Sequence, residues 1–250
     1  MPPKLPEKLK RPPVVEAIFE LRFAPAKEAA GDILVGMLYS HFGDFQKIEP
    51  LPLSTVPREQ RDKDANLRYL ASHRLTGDGA YILVGDRTVA FGRSPTYQGW
   101  TKFREEIVRL LTALRETQLL TTAERYSIKY INLLAASAQE QLSLLNARFE
   151  LAGQPTSHAG FRFRAERHAA GIITIIEILT GASANLPGEK REGLLLSVDT
   201  ICGESPNKVL DDPYRYLDEL HFAAKSTFFG LLTDDTLDAL GPEWDNESLH

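Results

Sequence analysis

The sequence predicts an α+β protein in which helices lie on one face of antiparallel-rich sheets. Stretches that alternate between apolar and polar residues, typical of half-buried strands, are interspersed with stretches of helical periodicity. The order strand, helix, three strands, helix occurs in residues 14–119 and again in residues 120–242. We therefore expect a tandem pseudo-two-fold repeat, whose two halves pack together as one unit.

The first half is periodic except in one segment. Residues 1–13 are basic and proline-rich, and we expect them to form an extended arm. Residues 46–65 show no periodicity, which predicts a functional or a mobile loop. The predicted strands are 14–23, 67–75, 81–84 and 88–93, and the predicted helices are 27–45, with His41 on its apolar stripe, and 98–119.

The second half repeats the order of the first. Residues 181–192 are predicted to be a loop, and residues 243–250 a flexible tail. The predicted strands are 124–134, 158–168, 171–180 and 193–202, and the predicted helices are 139–151, a long helix that begins at Pro213 and a short one between Thr233 and Gly241.

One predicted strand departs from simple alternation. Residues 171–180 contain isoleucine at positions 172, 173, 175, 176 and 178, so both of its faces are apolar. This pattern predicts a strand that is buried on both sides. Its second face then needs a cover: the acidic C-terminal segment, the 46–65 loop, a second subunit or a partner.

The composition is that of an ordinary globular protein. The chain has 250 residues, 43% of them hydrophobic and 25% charged, and one cysteine. These values exclude a low-complexity chain, a disulfide framework and a multi-cysteine metal site. No segment has the ~18 consecutive apolar residues of a membrane span. We therefore expect a cytoplasmic protein with no membrane partner.

Charge is unevenly distributed along the chain. The net charge is −5, and residues 211–250 contain ten acidic and two basic residues. The other 210 residues therefore have a small positive balance. This distribution argues against attraction of the whole protein to nucleic acid, but it allows a local basic face.

Three stretches of the sequence resemble a known family. They are PPVVEAIFELRF at residues 12–23, ERYSIKYINLL at 124–134 and LHFAAKSTFFGLLTDDTLDALGP at 220–242. They are similar to a sporadically distributed bacterial family of uncharacterised proteins of about this length, which has no assigned function. The resemblance covers essentially the whole chain. It implies a toxin–antitoxin or phage-defence locus and brings no catalytic residues.

Common catalytic motifs are missing from the sequence. It contains no Gly-x-Ser-x-Gly, no His-Glu-x-x-His, no P-loop and no Gly-x-Gly-x-x-Gly. We therefore predict no catalytic residues, no cofactor and no metal, and we lean toward a protein that is not an enzyme. Cys202 is predicted to be a buried structural residue, and His41 and His221 are predicted to be packed or capping groups.

Basic residues on the polar faces of the strands are the most suggestive feature. If the helices cover all the apolar faces, these side chains share one open sheet surface, where guanidinium groups can bind oxyanions. Glutamates at positions 16, 20 and 166 lie among them and can instead neutralise the surface. The candidate partner- or anion-binding residues are Arg22, Arg68, Arg74, Arg125, Lys129, Arg162, Arg164 and His168.

Three functional hypotheses follow. The first is a non-enzymatic interaction or regulatory protein, in which the open sheet face or the loops 46–65 and 181–192 bind a protein or nucleic-acid partner. The protein partner is a neighbouring gene's product, and a homodimer also fits. The alternative is an RNA-binding or metal-independent RNA-processing protein, with phosphates on the arginine face and His168 or His158 as acid–base group. The third is a small-ligand pocket between the halves, lined by Tyr126, Tyr130 and Phe161.

Overall fold

The computed structural model describes residues 5–95, 97–156, 160–186 and 188–244. By their contacts, the residues form two units. Unit 1 draws on residues 1–15, 129–200 and 221–250, and unit 2 on residues 16–128 and 201–220. These units differ from the predicted halves 14–119 and 120–242, because each unit takes residues from both halves.

Helices and antiparallel strands alternate along the chain, so the predicted α+β class is confirmed. The strands are β1 (Lys8–Leu9), β2 (Val14–Pro25), β3 (Lys47–Pro50), β4 (His73–Thr76), β5 (Ala80–Val84), β6 (Thr88–Arg93), β7 (Leu120–Ala135), β8 (Glu150–Leu151), β9 (Gln154–Pro155), β10 (Arg162–Ala169), β11 (Ile172–Leu186), β12 (Glu189–Cys202) and β13 (Pro242–Glu243). The helices are α1 (Ala30–His41), α2 (Arg58–Lys63), α3 (Trp100–Thr117), α4 (Lys208–Asp211), α5 (Pro213–Leu231) and α6 (Asp234–Leu240). None of the helices in the described ranges is long and apolar enough to cross a membrane.

Unit 2 is built on the strand order β7-β2-β6-β5-β4-β3. The antiparallel register places Phe19 opposite Phe91, Phe91 opposite Ile82, and Ile82 opposite Leu75. These four side chains form one row on the same side of the sheet, and all are buried. Helices α1 and α3 pack against each other and against this part of the sheet. The predicted alternation of β2 is thus confirmed.

Helix α1 buries a narrower stripe than its sequence predicts. Leu34 and Leu38 are buried, but Ile33 and Met37 are 41% and 42% exposed. His41 is also exposed, so its predicted place on the buried stripe is wrong. The reason is the 3.6-residue period, which turns the residue before each buried leucine toward solvent.

The segment 46–65 contains regular structure rather than a featureless loop. It includes β3, a 3₁₀ turn at Pro52–Thr55 and α2. Arg61 of α2 is 6% exposed, and its Nε lies 3.2 Å from Oδ2 of Asp86, in the turn between β5 and β6. The predicted strand 67–75 is shorter than expected, because Leu67–Leu70 form hydrogen-bonded turns before β4.

Unit 1 is built on the strand order β10-β11-β12-β7. Leu194, Leu196 and Val198 of β12 are fully buried, and Ile178 of β11 is 1% exposed. Helix α5 lies on the side of the sheet that carries Ile178, since Arg167 of β10, on that same side, donates a hydrogen bond to Thr227 at 2.8 Å.

The second half departs from the element order of the first, and the tandem repeat is not confirmed. The predicted helix 139–151 is wrong: a 3₁₀ turn at Gln141–Leu144 is followed by β8. Backbone hydrogen bonds from Asn146 to Leu231 and from Thr233 to Leu144 hold this segment against the end of α5. These tertiary hydrogen bonds therefore determine the conformation of the segment, although its sequence has helical periodicity.

The predicted loop 181–192 is also wrong. Strand β11 continues to Leu186 and β12 begins at Glu189. The glycines at 181 and 188 suggested a loop, but the Gly181 amide donates to the Gln141 side chain at 2.7 Å, and Gly188 lies in the turn. Strand pairing thus extends through a segment whose composition is typical of loops.

The first and last strands of the described residues pair in a small sheet. Strand β1 pairs with β13, and Lys8 forms an ion pair of 2.9 Å with Glu243. The predicted arm 1–13 is thus tied down over Lys8–Leu9. Of the predicted tail 243–250, Glu243 lies in a strand, and residues 245–250 lie outside the described residues.

Candidate functional site

One side of strands β10 and β11 combines apolar and charged side chains. The register pairs Arg164 with Glu177, Glu166 with Ile175 and His168 with Ile173. Because paired residues point to the same side of a sheet, these side chains share one surface. We call it the β10–β11 face, and its residues are Arg162, Arg164, Glu166, His168, Ile173, Ile175, Glu177 and Leu179.

The apolar residues of this face are only partly covered. Ile173 and Ile175 are half-buried, and Leu179 is 36% exposed. The prediction that the isoleucine-rich strand is buried on both sides is therefore wrong: among its five isoleucines, only Ile178 is buried. Ile172 and Ile176 lie on the same side of the sheet as Ile178 but are half-buried, so the strand is incompletely covered on both sides.

Most of the charged residues of the face lie close to a residue of opposite charge. Arg164 donates to Glu166 at 2.7 Å, and its Nε lies 3.9 Å from Glu177. Lys129 of β7 reaches the same Glu177 at 3.4 Å, and His168 lies 3.9 Å from Glu166. The glutamates thus neutralise much of the positive charge that the sequence places here.

Two of the predicted covers for the isoleucine strand pack elsewhere. The acidic C-terminal segment supplies α5, which lies on the opposite side of β10 and contacts Arg167. The 46–65 segment packs within unit 2, where Arg61 meets Asp86. Within the described ranges neither segment is seen on this face, and a second subunit and a partner stay as the other predicted covers.

The other predicted basic residues lie in unit 2 and have partners of their own. Arg22 donates to Glu20 at 2.8 Å and lies 4.7 Å from the centre of the Tyr69 ring. Arg125 lies 4.0 Å from Glu20 as well. Arg68 donates to the Asp62 carbonyl at 3.2 Å. Each of these arginines thus has a contact within unit 2, and the single shared arginine surface stays a prediction.

Arg74 belongs to an aromatic arrangement. Its guanidinium lies 4.3 Å from the centre of the Tyr81 ring, and the Tyr81 hydroxyl donates to Glu16 at 2.7 Å. The ring lies across Gly92 of the neighbouring strand, where a Cβ atom would be 2.1 Å from it. Burial and the adjacent Glu16 raise the pKa of Tyr81. Arg74 thus contacts the Tyr81 ring within unit 2.

The histidines and the cysteine do not form a catalytic group in the described residues. The side chain of His168 is 67% exposed, and His158 lies outside the described residues. His221 Nδ1 is 2.9 Å from the Tyr130 hydroxyl, which fits the predicted packed role. Cys202 is half-exposed rather than buried, and its thiol donates to the Glu204 carbonyl at 3.0 Å. Within the described ranges, no three His, Cys, Asp or Glu residues are placed to hold a metal ion.

The aromatic residues proposed to line a ligand pocket are packed. Tyr126 and Tyr130 are buried, and the Phe161 ring lies 4.7 Å from that of Phe149. Unit 1 has a groove of about 890 Å³ that these residues do not line; Arg11, Leu134, Arg191, Asp235 and Leu240 are among its lining residues. Unit 2 has a cleft of about 420 Å³ lined by Arg115, Asn207 and Asp211, among others.

Two polar clusters in unit 2 were missed at the level of sequence. One is the buried pair Arg61–Asp86, in which burial raises the pKa of the Asp86 carboxyl despite the nearby arginines. In the other, Asp218 accepts hydrogen bonds from Arg104 at 2.6 Å and from the Trp100 indole at 2.7 Å. Their residues are distant in sequence, so no local pattern reveals them.

Comparison of the sequence with models of protein families gives no match, and comparison with curated proteins gives none either. The resemblance to an uncharacterised bacterial family therefore stays a prediction.

Proposed function

We propose that this chain is a non-enzymatic interaction protein, and that its β10–β11 face binds a protein partner. The observation that carries the proposal is the row of Ile173, Ile175 and Leu179, which the described chain leaves half-buried or exposed. Apolar side chains in such a position lose contact with water when a partner covers them.

The arrangement of charges supports a protein partner over a phosphate backbone. Protein interfaces have an apolar centre and a polar rim, and the isoleucines have charged neighbours on β10. Arg164 already holds Glu166 and Glu177, so a phosphate has to displace carboxylates to reach it. A protein surface can rearrange the same ion pairs while it covers the apolar row.

The sequence-based predictions about context form part of this proposal. The partner is the product of a neighbouring gene, and the toxin–antitoxin or phage-defence setting rests on the family resemblance alone. A cytoplasmic location and a pseudo-symmetric scaffold are likewise predictions.

The test is recovery of the partner from the native host with the tagged full chain. We expect one protein at fixed stoichiometry with the wild type, and its loss with Ile173→Glu/Ile175→Glu, since a buried carboxylate without a partner opposes binding. The matched control is Ile33→Glu/Met37→Glu on α1, a pair of apolar side chains that are 41% and 42% exposed. The proposal is contradicted if Ile173→Glu/Ile175→Glu recovers as much of the partner as the control variant does. It is also contradicted if the wild type recovers no protein at fixed stoichiometry.

The RNA-binding alternative gives a different result. Because Arg164 is paired with Glu166 and Glu177, we expect little retention of RNA, even at low salt. Filter binding of the wild type and of Arg162→Ala/Arg164→Ala across a salt series measures this. Strong, salt-dependent retention that the double variant loses would favour the RNA hypothesis, with His168 as the candidate acid–base group.

A further inference from the structure

The outer edge of β10 is open to another strand. β10 ends the strand order of unit 1, and no strand within the described ranges pairs with its outer side. An unpaired strand presents a row of N–H and C=O groups that can hydrogen-bond to a second strand. A contact through this edge involves only the backbone groups and side chains of β10. It therefore goes beyond the proposed function and does not depend on it.

The hydrogen bonds to β11 identify the residues that present these groups. The Thr180 amide donates to the Phe161 carbonyl at 3.0 Å. In an antiparallel ladder, residues alternate between bonding to one neighbour and bonding away from it. The residues whose backbone groups point away from β11 are therefore Arg162, Arg164, Glu166 and His168.

The strand at the far end of unit 2 is protected against such pairing, and β10 is not. β3 has four residues, the last of which is Pro50, and proline has no N–H to donate. β10 has eight residues and contains neither proline nor glycine. It therefore has both the length and the donors of a pairing strand.

The charges on β10 are self-complementary about Ala165. When two copies pair antiparallel with Ala165 opposite Ala165, Arg164 of each copy lies opposite Glu166 of the other. A shift of two residues places Arg164 opposite Arg164 or Glu166 opposite Glu166, and like charges in opposite positions are destabilising. Of these three registers, only the one centred on Ala165 has no like-charge pair among Arg164 and Glu166, while the shift that pairs Arg164 with itself also places Arg162 opposite Glu166.

We propose that two copies of this chain associate through their β10 edges, antiparallel and centred on Ala165. The pairing follows two-fold symmetry, so each contact occurs twice. The side chains of Arg164 and Glu166 are 50% and 43% exposed, and both are available to exchange their 2.7 Å contact for equivalent contacts across the axis. Ala165 at the axis is small, which suits the close approach of a non-hydrogen-bonded pair.

Charge reversal tests the register with the full chain. Sedimentation equilibrium of the wild type should give twice the chain mass of 27.9 kDa. We expect Arg164→Glu and Glu166→Arg each to weaken self-association by more than about tenfold, because each places like charges opposite one another. An equimolar mixture of the two variants should restore the dimer, since each supplies the charge that the other lacks.

The mixture also shows that the single variants are folded. The matched control is Arg148→Glu, which reverses an exposed arginine that, like Arg164, pairs with a glutamate two residues on, and it should remain dimeric. A monomeric wild type at tens of micromolar, or a dimer that neither reversal weakens, overturns the proposal.

A cross-link gives a second readout that does not depend on charge. In a Cys202→Ser background, Ala165→Cys should form a disulfide-linked dimer under mild oxidation, because Cα atoms of a non-hydrogen-bonded pair lie ~4.5 Å apart, within disulfide range. Ser40→Cys, at an exposed position on α1, is the control and should stay monomeric on a non-reducing gel. No cross-link at Ala165 overturns the proposal even if the charge variants fail to fold. Neither assay involves another protein, so their failure is distinguishable from failure of the proposed function.

Discussion

Replacing Arg61 with alanine is expected to lower the free energy of unfolding by about 3 kcal/mol, because it leaves the Asp86 carboxylate buried without its ion-pair partner. Asp86 is 8% exposed, and its Oδ1 has no hydrogen-bond partner among the residues that the structure describes. In the Arg61→Ala variant, the negative charge of the Asp86 carboxylate therefore has no arginine at position 61 to compensate it. Urea unfolding of the wild type and the variant measures the difference.

A matched control lies on the same helix. Arg58 pairs with Asp32 at 2.6 Å, but the side chains are 30% and 53% exposed. Arg58→Ala should therefore cost less than about 1 kcal/mol. The double variant Arg61→Met/Asp86→Asn should recover much of the loss, because it buries no charge. A cost below about 1 kcal/mol for Arg61→Ala contradicts the assignment of Arg61 and Asp86 as the anchor of the 46–65 segment.

Replacing Gly193 with alanine is expected to destabilise the protein by about 3 kcal/mol. A Cβ atom at this position would lie 2.0 Å from the Leu134 carbonyl oxygen and 3.0 Å from the Cα atom of Ala135. These are backbone atoms of β7, so the strand itself has to move. Thermal and urea unfolding of the full chain measure the loss.

Gly36 provides the control for this substitution. It lies in α1, and a Cβ atom there meets nothing within 4 Å. Gly36→Ala should be neutral or stabilise the protein by up to ~1 kcal/mol, since glycine costs conformational entropy in a helix. If the free energy of unfolding of Gly193→Ala lies within about 1 kcal/mol of the wild-type value, β12 does not approach β7 as closely as described.

Elements with a strong local period could be predicted from the sequence. The alternation in β2 correctly identifies Phe19 and Leu21 as core residues, and the stripe of α3 correctly identifies Phe103 and Ile107. The segment 139–151 has an equally clear period, but backbone bonds to the end of α5 hold it in another conformation. Its structure depends on residues about 90 positions away, which periodicity does not report.

The candidate site could be predicted only in part. Alternation placed Arg164 and His168 on the polar side of their strand, and Glu166 was correctly identified as a neighbour that can neutralise them. Glu177, which both Arg164 and Lys129 contact, was missed because cross-strand neighbours follow from register. The incomplete burial of the isoleucines was missed for a similar reason: it depends on which elements pack against each side of the sheet.

Binding between this chain and its purified partner is the most direct test of the proposed protein-binding face. Calorimetric titration should show that Ile173→Ala/Ile175→Ala weakens binding by at least about tenfold, because truncation of buried apolar contacts at the centre of an interface has effects of this size. Ile33→Ala/Met37→Ala should change the dissociation constant by less than about twofold, since exposed residues outside an interface contribute little. Equal affinity of the wild type and Ile173→Ala/Ile175→Ala contradicts the assignment of the β10–β11 face as the binding surface.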